Sequence, residues 1–257
     1  MSVDAGRHIL RELGFTTRRA GDEMHGMAPV RPEMHVPGTA ALRTSILATW
    51  ADNLAGLLAV DAMAPRVPVT LELDVHLYRP APAAGVVQGV GRIAKAGRSV
   101  FVASVEFTTE RGEPVAIGAG SFMAAPDPAA RLRGGGHLPT DGRLAMPFAE
   151  RAGCERRGPG VAVLPRSEDG LNSSNSVNGG LIALAAEEAV LSLAPEDTLC
   201  SLGLRYLQAV RTGPVVASAR VHDGLGHVEL RDSGHGDRLS VTAIARTFGG
   251  LAHRSAT

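Results

Sequence analysis

The sequence predicts an α+β protein made of two tandem units, each a helix followed by an antiparallel sheet. Three observations carry this. Residues 43–60 (RTSILATWADNLAGLLAV) and 178–194 (NGGLIALAAEEAVLSLA) are small and apolar on nearly every side, as helices buried all round would be. Each is followed by four strand-like runs. The second set repeats the first at about half the chain length, which marks fused equivalent units.

After the first helix come runs 68–79, 86–95, 99–109 and 114–123. The first alternates at Leu71, Leu73, Val75 and Leu77, the period of a half-buried strand. Ala83–Gly85 and Glu110–Glu113 supply turns between them. After the second helix the order recurs at 198–208, 214–222, 226–232 and 237–247. Leu73–Tyr78 lies over Leu202–Leu207 at an offset of 129, and Gly85–Arg92 over Gly213–Arg220 at 128. Residues 4–13 read as a short helix, and 15–35 and 154–168 as lead-in strands or loops. Residues 125–145, rich in Pro, Gly and charge and including Gly134–Gly136, read as a linker. The units are thus 1–124 and 146–257. Side-by-side pairing would join their sheets and cover exposed strand edges.

Composition narrows the function. Twenty-six basic and 26 acidic side chains cancel, giving no electrostatic case for nucleic acid or an anionic membrane. The longest apolar stretch, 46–64, is broken by Asp52, Asn53 and Asp61, against a membrane span. Residues 1–20 lack a signal core, so a cytoplasmic location is expected. Cys154 and Cys200 have no metal or redox spacing and read as reduced thiols. His222, His227 and His235 fall on different strand and loop positions, so no metal is expected.

The chemistry-bearing feature is an acid in the middle of each apolar helix, Asp52 in one and Glu187 in the other. An unpaired buried carboxylate is costly, which makes both candidates for function. For Asp52 the alternative is a polar interface residue bonded to backbone. For Glu187 the adjacent Glu188 offers another: one or both reach solvent or a salt bridge.

With its Tyr-Arg-Pro-Ala strand end, Gly-Arg-Ile-Ala-Lys-Ala-Gly-Arg turn and closing Gly-Glu-Pro-Val-Ala, the stretch 36–124 resembles a hotdog-fold acyl-CoA thioesterase of the phenylacetate-operon type. Residues 170–248 resemble it more weakly, so the chain looks like a double hotdog. The resemblance implies a site shared between units: a polar amide and a His-Gly-Gly helix start from one, an acid and a strand hydroxyl from the other. Asn178-Gly179-Gly180 stands at the His-Gly-Gly position, with Asn172 as the amide, and Glu187 follows Gly179 by eight residues. Asp52 and Thr70 match the acid and the hydroxyl. The opposite set is depleted, with Pro37, Arg43-Thr44-Ser45 and Leu199 at the matching positions.

What this implies is one working site, containing Asp52, that hydrolyses an acyl-CoA or carrier-bound acyl thioester to the free acid, with no cofactor beyond the CoA of the substrate. Arg92, Lys95 and Arg98 would hold its phosphates. A dimer of double-hotdog chains is expected. Two other readings remain: a non-catalytic acyl-binding or scaffold protein, and a hotdog hydratase, which would want an Asp-x-Asn-Pro-x-His-like segment that is missing after Asp52.

Overall fold

Helix α1 (Thr44–Met63) and helix α3 (Gly179–Leu191) pack against each other and against one face of a continuous sheet. The structure is a computed structural model that describes residues 8–127 and 142–249. The first unit supplies β1 (Thr16–Ala20), β2 (Glu23–Pro29), β3 (Pro68–Leu77), β4 (Val86–Ala96), β5 (Phe101–Thr109) and β6 (Pro114–Ala124). The second supplies a short helix α2 (Phe148–Arg151), then β7 (Glu155–Gly158), β8 (Val161–Leu164), β9 (Leu199–Tyr206), β10 (Val215–His222), β11 (Leu225–Asp232) and β12 (Arg238–Thr247). Strand order is β1-β2-β4-β5-β6-β3-β9-β12-β11-β10-β8-β7, which reads the same from either end once the units are exchanged.

The join is made by equivalent strands of the two units. Strands β3 and β9 pair antiparallel with Asp74 opposite Gly203, Leu73 opposite Leu204 and Val75 opposite Leu202. Asp74 and Gly203 are themselves 129 residues apart, so the local two-fold axis passes between equivalent residues. The two equivalent α+β units are those the repeat predicts, and the architecture is the double hotdog that the resemblance implies. The outermost strands carry Arg18-Arg19 in β1 and Arg156-Arg157 in β7, charged pairs that discourage further edge-to-edge pairing.

Small residues let the helices lie close. A Cβ on Gly89 or Gly120 would press into Leu54 and Ala55 of α1, so the glycines of β4 and β6 make room for the helix. Pro65 follows the last turn of α1 and cannot continue it. Although α1 is long and apolar enough to cross a membrane, its buried residues, from Ile46 to Met63, are packed inside this fold.

The lead-in segments form β1, β2, β7 and β8. The described part of the N-terminal segment is a 3-10 helix, Ile9–Leu13. It is tied to the second unit by Arg151, whose guanidinium binds Glu12 at 2.6 Å and Asp169 at 2.8 Å. Most of the expected linker, Gly134–Gly136 included, lies outside the described residues; its end, Leu144, bonds the Glu12 carbonyl at 3.1 Å.

Candidate active site

Residues 135 apart occupy equivalent places at the two helices, so Asp52 corresponds to Glu187 and Thr44 to Gly179. The two helix pairings can therefore be compared atom by atom, and they differ sharply.

The pairing that contains Glu187 is closed. The Glu187 side chain is fully buried. Its Oε1 accepts the Thr44 N–H at 2.8 Å and the Ser45 N–H at 3.4 Å; its Oε2 accepts the Ser45 hydroxyl at 2.6 Å and Arg43 Nη1 at 3.2 Å. The carboxylate thus sits on the positive N-terminal end of α1, where orphan N–H groups attract an anion. Arg43, itself fully buried, also pairs with Glu188 at 2.6 Å, and Glu188 with Arg156 at 2.6 Å. Burial disfavours the Arg43 charge, but Glu187 and Glu188 more than offset it and hold its pKa above the usual value. Glu187, a catalytic candidate by position, and its neighbour Glu188 are therefore both tied into a buried ion cluster.

The pairing that contains Asp52 is open. Asp52 is half-buried beside the exposed Asn53, and its Oδ1 accepts the Thr70 hydroxyl at 3.0 Å. Burial pushes the Asp52 carboxyl up to about 6, against the Thr70 bond, which pulls it down. The start of α3 is likewise half-buried at Asn178 and Gly179, whereas Arg43, Thr44 and Ser45 are sealed. Asn178 caps α3: its Oδ1 accepts the Gly180 N–H at 2.8 Å. The Gly179 N–H, equivalent to the Thr44 N–H that Glu187 fills, has no acceptor among the described residues. Asp is one methylene shorter than Glu, so the equivalent carboxylate stops short of the helix end.

The two helices touch beside this opening. A Cβ on Gly180 would overlap the side chain of Thr49, one turn before Asp52. Tyr206, unremarked in the sequence beyond its place in the repeat, completes the site. Its hydroxyl donates to the Gly179 carbonyl at 3.1 Å. Burial first, and the Asp52 charge second, raise its pKa well above the usual tyrosine value.

Other expected residues are placed differently. Asn172 spends its side-chain oxygen on the loop before α3, accepting Ser174 N–H at 2.9 Å, Ser176 N–H at 3.1 Å and the Ser176 hydroxyl at 3.0 Å. Only its amide hydrogens are left as donors. Arg92 is bound by Glu23 at 2.7 Å and Glu106 at 2.9 Å. Strand alternation puts it, like Lys95, on the face away from α1: they pair with Ser104 and Val102 of β5, while Ala103 faces the core. That charge is already neutralised. Lys95 and Arg98 are exposed at the end of β4. The ladder Ala96–Phe101–Phe122–Thr70 puts that end level with Thr70, three strand spacings or roughly 14 Å away.

Cys154 is buried, and burial pushes its thiol up to about 12, unsuited to thiolate chemistry. Among the described residues no group of three His, Cys, Asp or Glu could hold a metal ion. A surface hollow of about 280 Å³ lined by Gly85, Thr109, Glu110 and Glu113 lies at the turn ends of β4 and β5 and includes no residue of this arrangement.

Residues 45–116, from α1 into β6, match the sequence model of the thioesterase superfamily. No curated protein matches the chain. Among solved structures, the chain is similar to a 12:0-ACP thioesterase from Umbellularia californica, at 12% identity and a TM-score of 0.63, covering 90% of this chain and 98% of that one. It is also similar to an acyl-ACP thioesterase from Bacteroides thetaiotaomicron, at 14% identity and a TM-score of 0.61, covering 92% and 99%. At these identities the likeness is one of fold, and it spans both units. The chain thus has the double-hotdog fold, and the segment of its first unit around Asp52 is the one that matches the thioesterase-superfamily model.

Proposed function

We propose that this protein hydrolyses an acyl thioester, carried by CoA or by a carrier protein, at one composite site formed by Asp52 and Thr70 of the first unit and the start of α3 in the second. One observation carries the reading: the Gly179 N–H is unoccupied at an open helix start, while its equivalent, the Thr44 N–H, is filled by a carboxylate.

A thioester carbonyl oxygen becomes negative as the carbon turns tetrahedral. The Gly179 N–H, backed by the dipole of α3, is suited to hold that charge, and the Asn172 amide supplies a second donor. Glycine there lets the carbonyl approach the backbone. Asp52 takes a proton from water as the water attacks the carbonyl carbon. Collapse then breaks the carbon–sulfur bond, and the proton passes from Asp52 to the leaving thiolate, giving acid and thiol. In the alternative route the Asp52 carboxylate attacks the carbon itself and expels the thiolate to form an anhydride. Water then hydrolyses the anhydride, giving the acid, freeing Asp52 and supplying the thiolate's proton. A carboxyl with a pKa of about 6 is mostly ionised at neutral pH yet more basic than an ordinary Asp. Thr70 orients it.

Lys95 and Arg98 are the remaining cations for the phosphates of CoA or of a carrier's phosphopantetheine arm; their roughly 14 Å offset from Thr70 suits an extended thiol arm. Glu187 is structural in this reading.

The test is thiol release from saturated and aryl acyl-CoAs and from the matching acyl-pantetheines. Turnover of CoA thioesters with a KM raised in Lys95→Ala/Arg98→Ala, and unchanged on the pantetheines, supports the whole reading. Saturable binding of acyl-CoA without thiol release would replace it by an acyl-binding protein.

A further inference from the structure

The start of α3 is held from two sides in a way the start of α1 is not. The peptide unit between Gly179 and Gly180 is bound at both ends: its oxygen accepts the Tyr206 hydroxyl at 3.1 Å, and its N–H donates to Asn178 Oδ1 at 2.8 Å. The preceding peptide unit, which carries the free Gly179 N–H, has its oxygen turned into the helix, where Asn178 O accepts Leu181 and Ile182 N–H at 3.1 Å each. The two units hinge at Gly179 Cα. Glycine there has no side chain to restrict the hinge, so the donor's peptide unit is held on its own side only through Asn178 O, and the second hold comes from across the hinge.

We infer that Tyr206 and Asn178 are positioning residues that clamp the Gly179–Gly180 peptide and so hold the Gly179 N–H in line for the thioester oxygen facing Asp52. The inference rests on the Asp52–Gly179 site proposed above and assigns it two residues whose work is orientation.

The internal symmetry of the chain supplies the comparison. At the equivalent places, Leu77 stands for Tyr206 and Arg43 for Asn178; Arg43 makes no side-chain cap bond at α1. There the Thr44 N–H is already taken by Glu187. Clamp, glycine pair and free donor occur together in one helix pairing and are all missing from the other. Gly179 and Tyr206 also depend on each other: a Cβ at 179 would lie 3.0 Å from the tyrosine oxygen and 3.2 Å from its ring. Burial beside Asp52 keeps the tyrosine protonated, so it remains a donor across the working pH range. A donor at fixed orientation needs no reorganisation as charge develops, which is how pre-aimed dipoles lower a barrier.

The experiment measures kcat, KM and the pH profile for the best substrate in the acyl-CoA panel, with Tyr206→Phe, Asn178→Ala, Asn178→Asp and Asp52→Asn. Tyr206→Phe keeps the ring and loses only the hydroxyl. The expected result is a kcat lower by about tenfold or more, since a mis-aimed donor gives up part of its roughly 10²–10³-fold contribution. KM should stay within about twofold, and the acid limb of the profile should not move, because Asp52 is untouched. Asn178→Ala should lower kcat likewise, and Asn178→Asp, which keeps the accepting oxygen, should recover most of it. If Asp52→Asn stops turnover while Tyr206→Phe retains full kcat, the clamp is refuted and the site stands. Full turnover in Asp52→Asn removes both. Should Tyr206→Phe fail to fold, the Asn178 pair decides: equal kcat in Asn178→Ala and Asn178→Asp overturns the inference.

Discussion

The Glu187 carboxylate accepts the Thr44 N–H at 2.8 Å, filling at one helix start the position that Asp52 leaves vacant at the other, before Gly179. The longer Glu side chain, with Arg43 and Ser45 to hold it, closes one pairing; the shorter Asp, facing Asn178 and Gly179, leaves the other open. Fusion of the units permits this: a symmetric dimer must keep both helix pairings alike, whereas one chain can let one become a structural joint and leave the other open.

The joint should matter for stability. Replacing Glu187 by Gln removes half the negative charge that faces Arg43, leaving a cation in a site with no water to solvate it. Unfolding in urea should show a loss of the order of 3 kcal/mol, as for other buried pairs broken on one side. The same change at exposed Glu113, paired with Arg79, should cost less than about 1 kcal/mol.

Asp52 should control the pH dependence. As a base it works only when ionised, so kcat/KM should rise with pH through a single ionisation near its pKa of about 6 and level off above it. Thr70→Val removes the bond that favours the carboxylate, and the limb should move to higher pH. An unmoved limb would detach Thr70 from Asp52.

The same group sets a stability trend of definite sign. Its folded pKa, about 6, lies above the unfolded value near 3.9, so the folded state binds more protons between those values. This contribution is therefore fully present at low pH and lost as pH rises through about 6. Removing the charge with Asp52→Asn should stabilise the protein at pH 7, by about 1–2 kcal/mol after allowance for partial exposure. Thermal unfolding at pH 7 and pH 4.5 checks it: the advantage of the variant should shrink at the lower pH.

Gly180 should not tolerate a side chain. A new Cβ would lie 2.9 Å from Thr49 Cγ2 and 3.0 Å from Thr49 Cβ, so no rotation of the threonine relieves the clash. Gly180→Ala should push α3 from α1, costing about 1–3 kcal/mol and lowering kcat/KM, since the same contact sets Gly179 against Asp52. Unchanged stability and turnover would show the helices free to separate there.

The architecture was largely legible in the sequence because it rests on local periodicity and an internal repeat. Strand alternation placed β3 and β9 within a residue or two and the repeat implied two units joined side by side, but which strands meet, β3 and β9 at Asp74 and Gly203, was not legible. Asp52 stood out as an acid in an apolar helix, and the resemblance placed Thr70 beside it as the strand hydroxyl. What stayed hidden depends on distant partners. Arg43 looked like a mere departure from the histidine of the resemblance, since its carboxylate partner Glu187 lies 144 residues away. Tyr206 gave no signal because its bond runs to a backbone carbonyl, which any residue could offer. The ion pairs of Arg92 were hidden because a cation on a turn looks free until the carboxylates on neighbouring strands are placed beside it.

The most direct test compares thiol release by Asp52→Asn and Glu187→Gln, each normalised to folded protein, on the same acyl-CoA. The account predicts a loss of about 10²–10⁴-fold for Asp52→Asn, the usual contribution of a positioned base, with Glu187→Gln near wild type. Loss in Glu187→Gln with retention in Asp52→Asn would contradict it, and would move the chemistry to the pairing described here as closed.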